Sequence, residues 1–283
     1  MSDTVLNADA PMLEFDDVSF GYKDHGVLDH VSFTVGRGEF VALLGPNGTG
    51  KSTSLRLADG LLRPTSGTVR VAGVDTAEVR TSDLARHVGF LFQNPDRQIC
   101  QNTTHDEIAF TLKTLYGDAD PRVERRTAEV LEMLHLDGDA DPFNLAKGQR
   151  QAVALAGLIA ADPDLLLLDE PTTGFDYSEC MEMMAHIEDM NRAGTTVLMV
   201  CHDMEVVLDF AKRALVMEGG HVIADAPVPA IFENRAALER AALLPPQICE
   251  LSQELAPEYP ALAHIYGVDE MADAICAVKE ESK

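Results

Sequence analysis

Residues 40–57 read FVALLGPNGTGKSTSLRL. Phe40 to Leu44 form an unbroken apolar run, which predicts a strand buried on both faces. Gly45 to Ser52 then fit the pattern G-x-x-x-x-G-K-[ST], a P-loop. Its glycines let consecutive backbone N–H groups turn inward around phosphate oxygens, and the helix that follows adds its N-terminal dipole. By composition alone, the four fixed positions would match in on the order of one in a hundred chains of this length. A buried strand before the loop and a helical stretch after it make a mere Gly-rich turn an improbable reading. The candidate nucleotide-binding residues are therefore Gly45, Pro46, Asn47, Gly48, Thr49, Gly50, Lys51, Ser52 and Thr53. Lys51 can reach the β- and γ-phosphates, and the Ser52 hydroxyl can ligate Mg²⁺.

Working outward, residues 12–35 alternate and are β-branched, so they predict strands upstream of the loop, with Gly36 and Gly38 at a turn. SGTVRVAGV and HVGFLFQ predict two more strands. Residues 104–160 change to helical spacing. Asp120 can cap a helix with Pro121 at its first position, and a second helix is expected from about Lys147 to Ala161. Then strands and helices alternate: LLLL, a helix near 177–192, TTVLMV, a helix near 203–211, and ALVMEGGHVIA as a hairpin. That alternation predicts an α/β fold with a mainly parallel sheet covered by helices. After Pro245 and Pro246, Ile248, Leu251 and Leu255 form one short apolar stripe, and Val268, Met271, Ile275 and Val278 another. Two amphipathic helices packed on the main domain would explain them, and so would a dimerisation surface.

Further candidates lie at predicted strand ends. Leu165 to Leu168 precede Asp169 and Glu170. This places both acids at the carboxyl edge of the sheet, where open α/β folds bind ligands. Asp169 suits Mg²⁺, directly or through water, and Glu170 suits a general base or water-orienting role. His202 follows the next apolar strand, and Gln93 ends HVGFLFQ, where its amide can join the metal or water shell. Tyr22 ends the first strand and can offer its ring to adenine.

The chain has 283 residues, 22 Lys plus Arg against 47 Asp plus Glu, and a net charge of −25. That balance argues against nucleic acid and an anionic leaflet as partners, because both need a basic surface. Residues 1–160 hold 15 basic and 23 acidic side chains; residues 161–283 hold 7 and 24. A polyanion is better placed in the first half. Five scattered cysteines with no CxxC fit reduced thiols in a cytosolic protein. MSDTVLNADAP predicts no secretory signal, and no apolar run approaches the ~20 residues of a membrane span.

The ordered set Tyr22, GPNGTGKST, Gln93, LAKGQ (145–149), LLLLDE, TGFD (173–176) and His202 resembles the ATP-binding cassette (ABC) family over about residues 12–235. FQNPDRQ, EPTTGFD and PPQICELSQEL are similar to the ATPase subunits of energy-coupling factor (ECF) transporters, which serve cobalt, nickel or vitamin uptake. The resemblance implies a P-loop ABC-ATPase fold. It would carry an antiparallel β subdomain, an inserted helical subdomain at about 96–162, and a C-terminal helical extension at 236–283 following a cassette of 1–235. It implies ATP and Mg²⁺, with Ser52, Gln93 and Asp169 at the metal and with Glu170, His202 and Gln93 as the catalytic set. Tyr22 would be the adenine platform, Asp176 the D-loop acid, and Leu145, Ala146, Lys147, Gly148 and Gln149 the signature that caps a partner's γ-phosphate. The implied partners are a second ATPase subunit (homo- or heterodimer), a transmembrane coupling protein and a substrate-binding membrane subunit. The expected place is peripheral, on the cytoplasmic face of the cell membrane.

The usual signature is LSGGQ. Here Ala146 lacks the serine hydroxyl, Lys147 replaces a glycine, and Ala152 stands where an arginine is common. A hydrogen bond to a charged group contributes ~1.5–3 kcal/mol, so the site this signature closes is expected to be weak. That asymmetry would call for a heterodimer. Two rivals stay open: a non-transport ABC ATPase, as in iron–sulfur assembly, and a non-hydrolysing regulatory ATP-binding module. The acidity suits a basic docking helix, or a salty milieu given only 7 lysines.

Overall fold

The computed structural model describes residues 7–23 and 25–281. Residues 1–6, with most of the segment used to exclude a signal, lie outside that range. Two strands, β1 (Leu13–Tyr22) and β2 (His25–Val35), pair antiparallel. The P-loop strand β3 (Phe40–Leu44) follows, and then helix α1 (Lys51–Ala58). β4 (Ser66–Val71) and β5 (Val74–Asp75) complete a four-stranded sheet of order β2-β1-β4-β5, antiparallel throughout. A short helix α2 (Thr81–Leu84) leads into β6 (Val88–Leu91).

Three longer helices follow: α3 (Thr104–Tyr116), α4 (Arg122–Met133) and α5 (Lys147–Ala161). The α4 start differs by one residue from the expected one. Pro121 stands before the helix, and the Asp120 carboxylate accepts from the Arg122 N–H at 2.9 Å. The α5 bounds coincide with those expected from the sequence. β7 (Leu165–Asp169), α6 (Tyr177–Ala193), β8 (Thr196–Val200), α7 (Met204–Phe210), β9 (Arg213–Glu218) and β10 (His221–Pro227) then alternate. The chain closes with α8 (Val228–Glu233), α9 (Arg235–Arg240), α10 (Gln247–Leu255) and α11 (Val268–Glu281).

The second sheet has the order β10-β9-β3-β8-β7-β6, parallel except for the β9–β10 hairpin. Its strands alternate between two cores. Phe40, Ala42 and Leu44 pack with α5, α6 and the C-terminal helices, whereas Val41 and Leu43 pack with α1 and the antiparallel sheet. Leu166 and Leu168 against Leu165 and Leu167 divide in the same way. This is why their sequences are apolar without alternation.

The C-terminal stripes are only partly covered. Ile248 and Met271 enter the main core, while Leu251 is 39% exposed and Val268 72% exposed. All five cysteines are free. Among the described residues, no helix is long and apolar enough to cross a membrane.

One buried acid opposes the fold. Asp59 caps the C-terminal end of α1 and is 8% exposed, and burial lifts its carboxyl from 3.8 to about 7. The folded state therefore holds this proton more tightly than the unfolded one. Stability attributable to the protonated acid is present below about pH 4 and is lost as pH rises toward about 7. Asp59→Asn is expected to raise the melting temperature at pH 8, by about 2–4 °C for each kcal/mol recovered, and to change it little at pH 4. Paired thermal melts at the two pH values test this, and an equal shift at both would contradict it.

Candidate functional site

Four neighbouring parallel strands deliver the site. The carboxyl ends of β3, β8, β7 and β6 lead into Gly45, His202, Glu170 and Gln93 respectively. These segments, with Tyr22 from β1, surround a cavity of about 620 Å³. It is lined by Tyr22, Val27, Asn47, Gly48, Gly50, Lys51, Ser52, Thr53, Gln93, Glu170 and His202. The volume falls within the range of small-molecule and cofactor sites.

The loop is built tightly. Gly45 has φ +138°, and a Cβ there would run into the Met217 carbonyl oxygen of β9. Only glycine fits this turn. Lys51 is 6% exposed and donates to the carbonyls of Gly45 at 2.6 Å and Pro46 at 2.8 Å. Burial pushes its ammonium below the ordinary lysine range, partly countered by Glu170 and Asp169. Thr49 donates to the Pro46 carbonyl at 2.9 Å. Gly45, Pro46 and Thr49 thus shape the loop rather than line its cavity.

Asp169 lies beneath the cavity at 2% exposure, and burial raises its carboxyl above the ordinary range. It accepts from the Ser52 hydroxyl at 3.0 Å. Two side-chain oxygens so placed suit a hard cation such as Mg²⁺, with Gln93 within the same cavity. No group of three or more His, Cys, Asp or Glu that could hold a metal exists among the described residues. Mg²⁺ is commonly bound through one or two carboxylates together with phosphate oxygens rather than in an all-protein cage.

Glu170 is backbone-strained. Its φ is +53°, a region costing a non-glycine residue ~1–2 kcal/mol, while its N–H donates to Val200 O at 2.9 Å. Strain of this kind gathers where side-chain direction matters. The carboxylate is held at both oxygens: His202 Nε2 stands 3.2 Å from Oε1, and Thr173 Oγ1 donates to Oε2 at 3.4 Å. Thr173 and Val27 also belong to this site; Thr173 opens the TGFD motif, though the sequence assigns its hydroxyl no role, and Val27 lies in no motif. The TTG turn after Glu170 was the available signal for Thr173. Val27 carried none, since only the β1–β2 hairpin brings it into the cavity that Tyr22 also lines. Tyr22 is 43% exposed and meets Phe20 edge-on at 4.9 Å, which leaves a ring face for stacking.

The expected signature, Leu145 to Gln149, and Asp176 do not line this cavity. Ala146, Lys147 and Gln149 are exposed at the start of α5, turned toward solvent. Alanine has no oxygen to cap the helix. Half of a capping box survives, with Ala146 N–H donating to Gln149 Oε1 at 3.1 Å. Gly148 is required sterically, because a Cβ would sit 2.5 Å from Gly174 O. Asp176 caps α6 with a complete box, accepting from Glu179 N–H at 2.9 Å and donating its own N–H to Glu179 at 3.0 Å.

A family profile described as ABC transporter matches residues 28–173, more than half of the chain. The chain belongs to the ABC transporter family. Among curated ABC relatives, the energy-coupling factor transporter ATP-binding protein EcfA2 of Clostridium perfringens is 37% identical over 235 residues, covering 81% of this chain and 82% of that protein. Among solved cassettes, cbiO1 from Clostridium perfringens, part of the ABC transporter complex cbiONQ, superposes with a TM-score of 0.73 at 25% identity. That match covers 90% of this chain and 98% of the other. The dimeric, post-hydrolysis ATP-binding cassette MJ0796 with ADP and Pi gives 0.70 at 27% identity, covering 77% and 99%. Longer curated relatives described as putative ABC transporter ATP-binding proteins also match. The chain spans only about two fifths of their length, 43% in one case and 37% in another.

Proposed function

We infer that this cassette hydrolyses ATP to power an ECF-type importer of a vitamin or transition-metal ion. The observation that carries the reading is the cavity in which Lys51, Ser52, Gln93, Glu170 and His202 converge at one sheet edge. ATP phosphates occupy the P-loop, and Lys51 exchanges its two carbonyl partners for phosphate oxygens. Ser52, Asp169 and Gln93 are the residues that would hold Mg²⁺, which would supply charge neutralisation for the phosphates. Glu170, fixed by His202 and Thr173, orients water for in-line attack. Tyr22 stacks on the adenine.

The second half of the site comes from another subunit. The exposed start of α5 caps the phosphate bound by a partner ATPase, and Asp176 lies at the same interface. The chain sits on the cytoplasmic face of the membrane, on a transmembrane coupling protein that carries a separate substrate-binding subunit. Its acidity favours a basic docking helix, so docking is expected to weaken with added salt. The 236–283 extension contributes to dimerisation through apolar burial, against like charge. The related EcfA2 and cbiO1 proteins support this transport assignment over other ABC roles.

The test is co-expression with candidate membrane partners, followed by affinity purification and ATPase assay. Recovery of a stoichiometric membrane complex with ATP-dependent uptake is expected. Recovery of the chain free of any membrane protein, with no ATP-dependent uptake in the co-expressing cells, would remove the transport assignment. Ala146→Ser is expected to raise turnover about tenfold if one restored hydrogen bond to phosphate is worth ~1.5 kcal/mol. An unchanged rate would show that Ala146 does not weaken closure.

A further inference from the structure

Two neighbouring residues break the local rules of helix entry at the start of α5. Ala146 stands where a side-chain acceptor is favoured, and Lys147 puts a cation in a first turn whose dipole favours acids. Breaches of this kind gather where function, not the stability of the free chain, decides the residue. Lys147 is exposed, and its ammonium has no hydrogen-bond or ion-pair partner among the described residues. Its stem is nevertheless seated: a Cβ added at Gly174 would come within 3.3 Å of Lys147 Cγ and 3.4 Å of its Cδ. The surrounding sequence is acidic. Between Arg126 and Arg192 lie fourteen acids and two bases, Lys147 and Arg150. Arg150 is turned to its own chain, with Nη1 donating to the Leu145 carbonyl at 2.6 Å and Nε 2.8 Å from Asp96 Oδ1. Lys147 is therefore the base of this segment that is left free.

We propose that Lys147 is a catalytic residue in trans, whose ammonium contacts the γ-phosphate held in a partner subunit's P-loop and replaces by charge the hydrogen bond that Ala146 cannot make. This rests on the reading above, in which the start of α5 caps a partner's phosphate. Lys147 does not line the cavity of its own chain, so it does not serve the nucleotide bound there. An ammonium is a compact charge with three donors and needs no fixed angle of approach, which suits a terminal phosphate met across a closing interface. It also offsets the repulsion that Asp137, Asp139 and Asp141, just ahead of α5, exert on an incoming triphosphate. The contact needs the γ-phosphate, so it forms with ATP and is lost with ADP.

The test uses the full chain carrying Glu170→Gln, mixed with the ATPase subunit recovered beside it on co-expression, or with itself where none is recovered. Association is measured by sedimentation velocity with Mg²⁺–ATP and with Mg²⁺–ADP, and nucleotide affinity of the separated chain by titration. Lys147→Met keeps the seated stem and removes the charge. It should weaken association with ATP by about tenfold or more, as the loss of one charge-assisted contact does, and leave association with ADP unchanged. Lys147→Arg should stay within about threefold of the parent, because it keeps the charge. All three should bind nucleotide equally as separated chains. Association of Lys147→Met as strong as the parent's, or stronger, overturns the proposal, since Lys147 is then a solvated or an obstructing side chain. An equal loss in Lys147→Arg overturns it too, because the charge would not be what matters. Equal weakening with ATP and ADP replaces the γ-phosphate contact by a general interface charge. A parent that binds ATP without associating overturns the reading of α5 as a cap along with it, and a parent that binds no ATP overturns the nucleotide reading itself.

Discussion

Replacing Glu170 by glutamine is expected to lower ATP turnover by about 10²–10⁴-fold while leaving ATP affinity almost unchanged. The carboxylate reaches the cavity because the chain turns left-handed at this residue, and its two oxygens are held by His202 and Thr173. Glutamine keeps the size and one acceptor oxygen but cannot take up or orient a proton in the same way. The P-loop, Ser52 and Asp169 are untouched, so binding should persist. Single-turnover assays and nucleotide titrations on the same preparation separate these two quantities. Turnover within threefold or so of the parent would move the base to another residue. His202→Ala should cost less, because Thr173 still restrains one oxygen.

Lys51→Ala is expected to weaken ATP binding about 10²-fold and also to destabilise the empty protein. Two charge-assisted hydrogen bonds to phosphate are lost, each worth ~1.5–3 kcal/mol before the exchange of partners is counted. The exchange matters here. In this structure the ammonium already satisfies the Gly45 and Pro46 carbonyls, so part of the phosphate gain replaces bonds that already exist. Removing the side chain leaves both carbonyls short of a donor, which costs ~1–3 kcal/mol for a buried group. Calorimetric titration and a thermal melt read the two effects separately. Unaltered ATP affinity would mean that Lys51 is a loop strut and not a phosphate ligand.

Much of the candidate site was legible because its chemistry forces particular residues. A phosphate cradle needs glycine at Gly45, where a side chain would strike Met217, and a lysine at the helix start. Acids after an apolar strand were legible for the same reason, as was α5, whose polar first turn leads into the apolar run 152–161. Arg150 was not legible. It stands beside a signature motif on an amphipathic helix, where most arginines face water. Its two partners come from a carbonyl five residues back and from an acid 54 positions upstream. Thr173 was hidden in a turn of small residues whose hydroxyls all look equivalent until one points at Glu170.

The sequence by itself determined the strand, the loop and the helix that make the phosphate site. It also determined the loss of the signature hydroxyl at Ala146, because these depend on which side chains exist and on spacings of a few residues. The order β10-β9-β3-β8-β7-β6 was decided only in three dimensions. β3, β7 and β8 are all apolar on both faces, and residues of that kind carry no mark of which neighbour they pair with. Pairing β7 with β8 is what brings Glu170 and His202 together at 3.2 Å, and pairing β3 with β8 sets the P-loop beside them. The left-handed turn at Glu170 and the Asp96–Arg150 contact were likewise fixed by packing, which can impose a strained backbone or a long-range ion pair that local preference would never select.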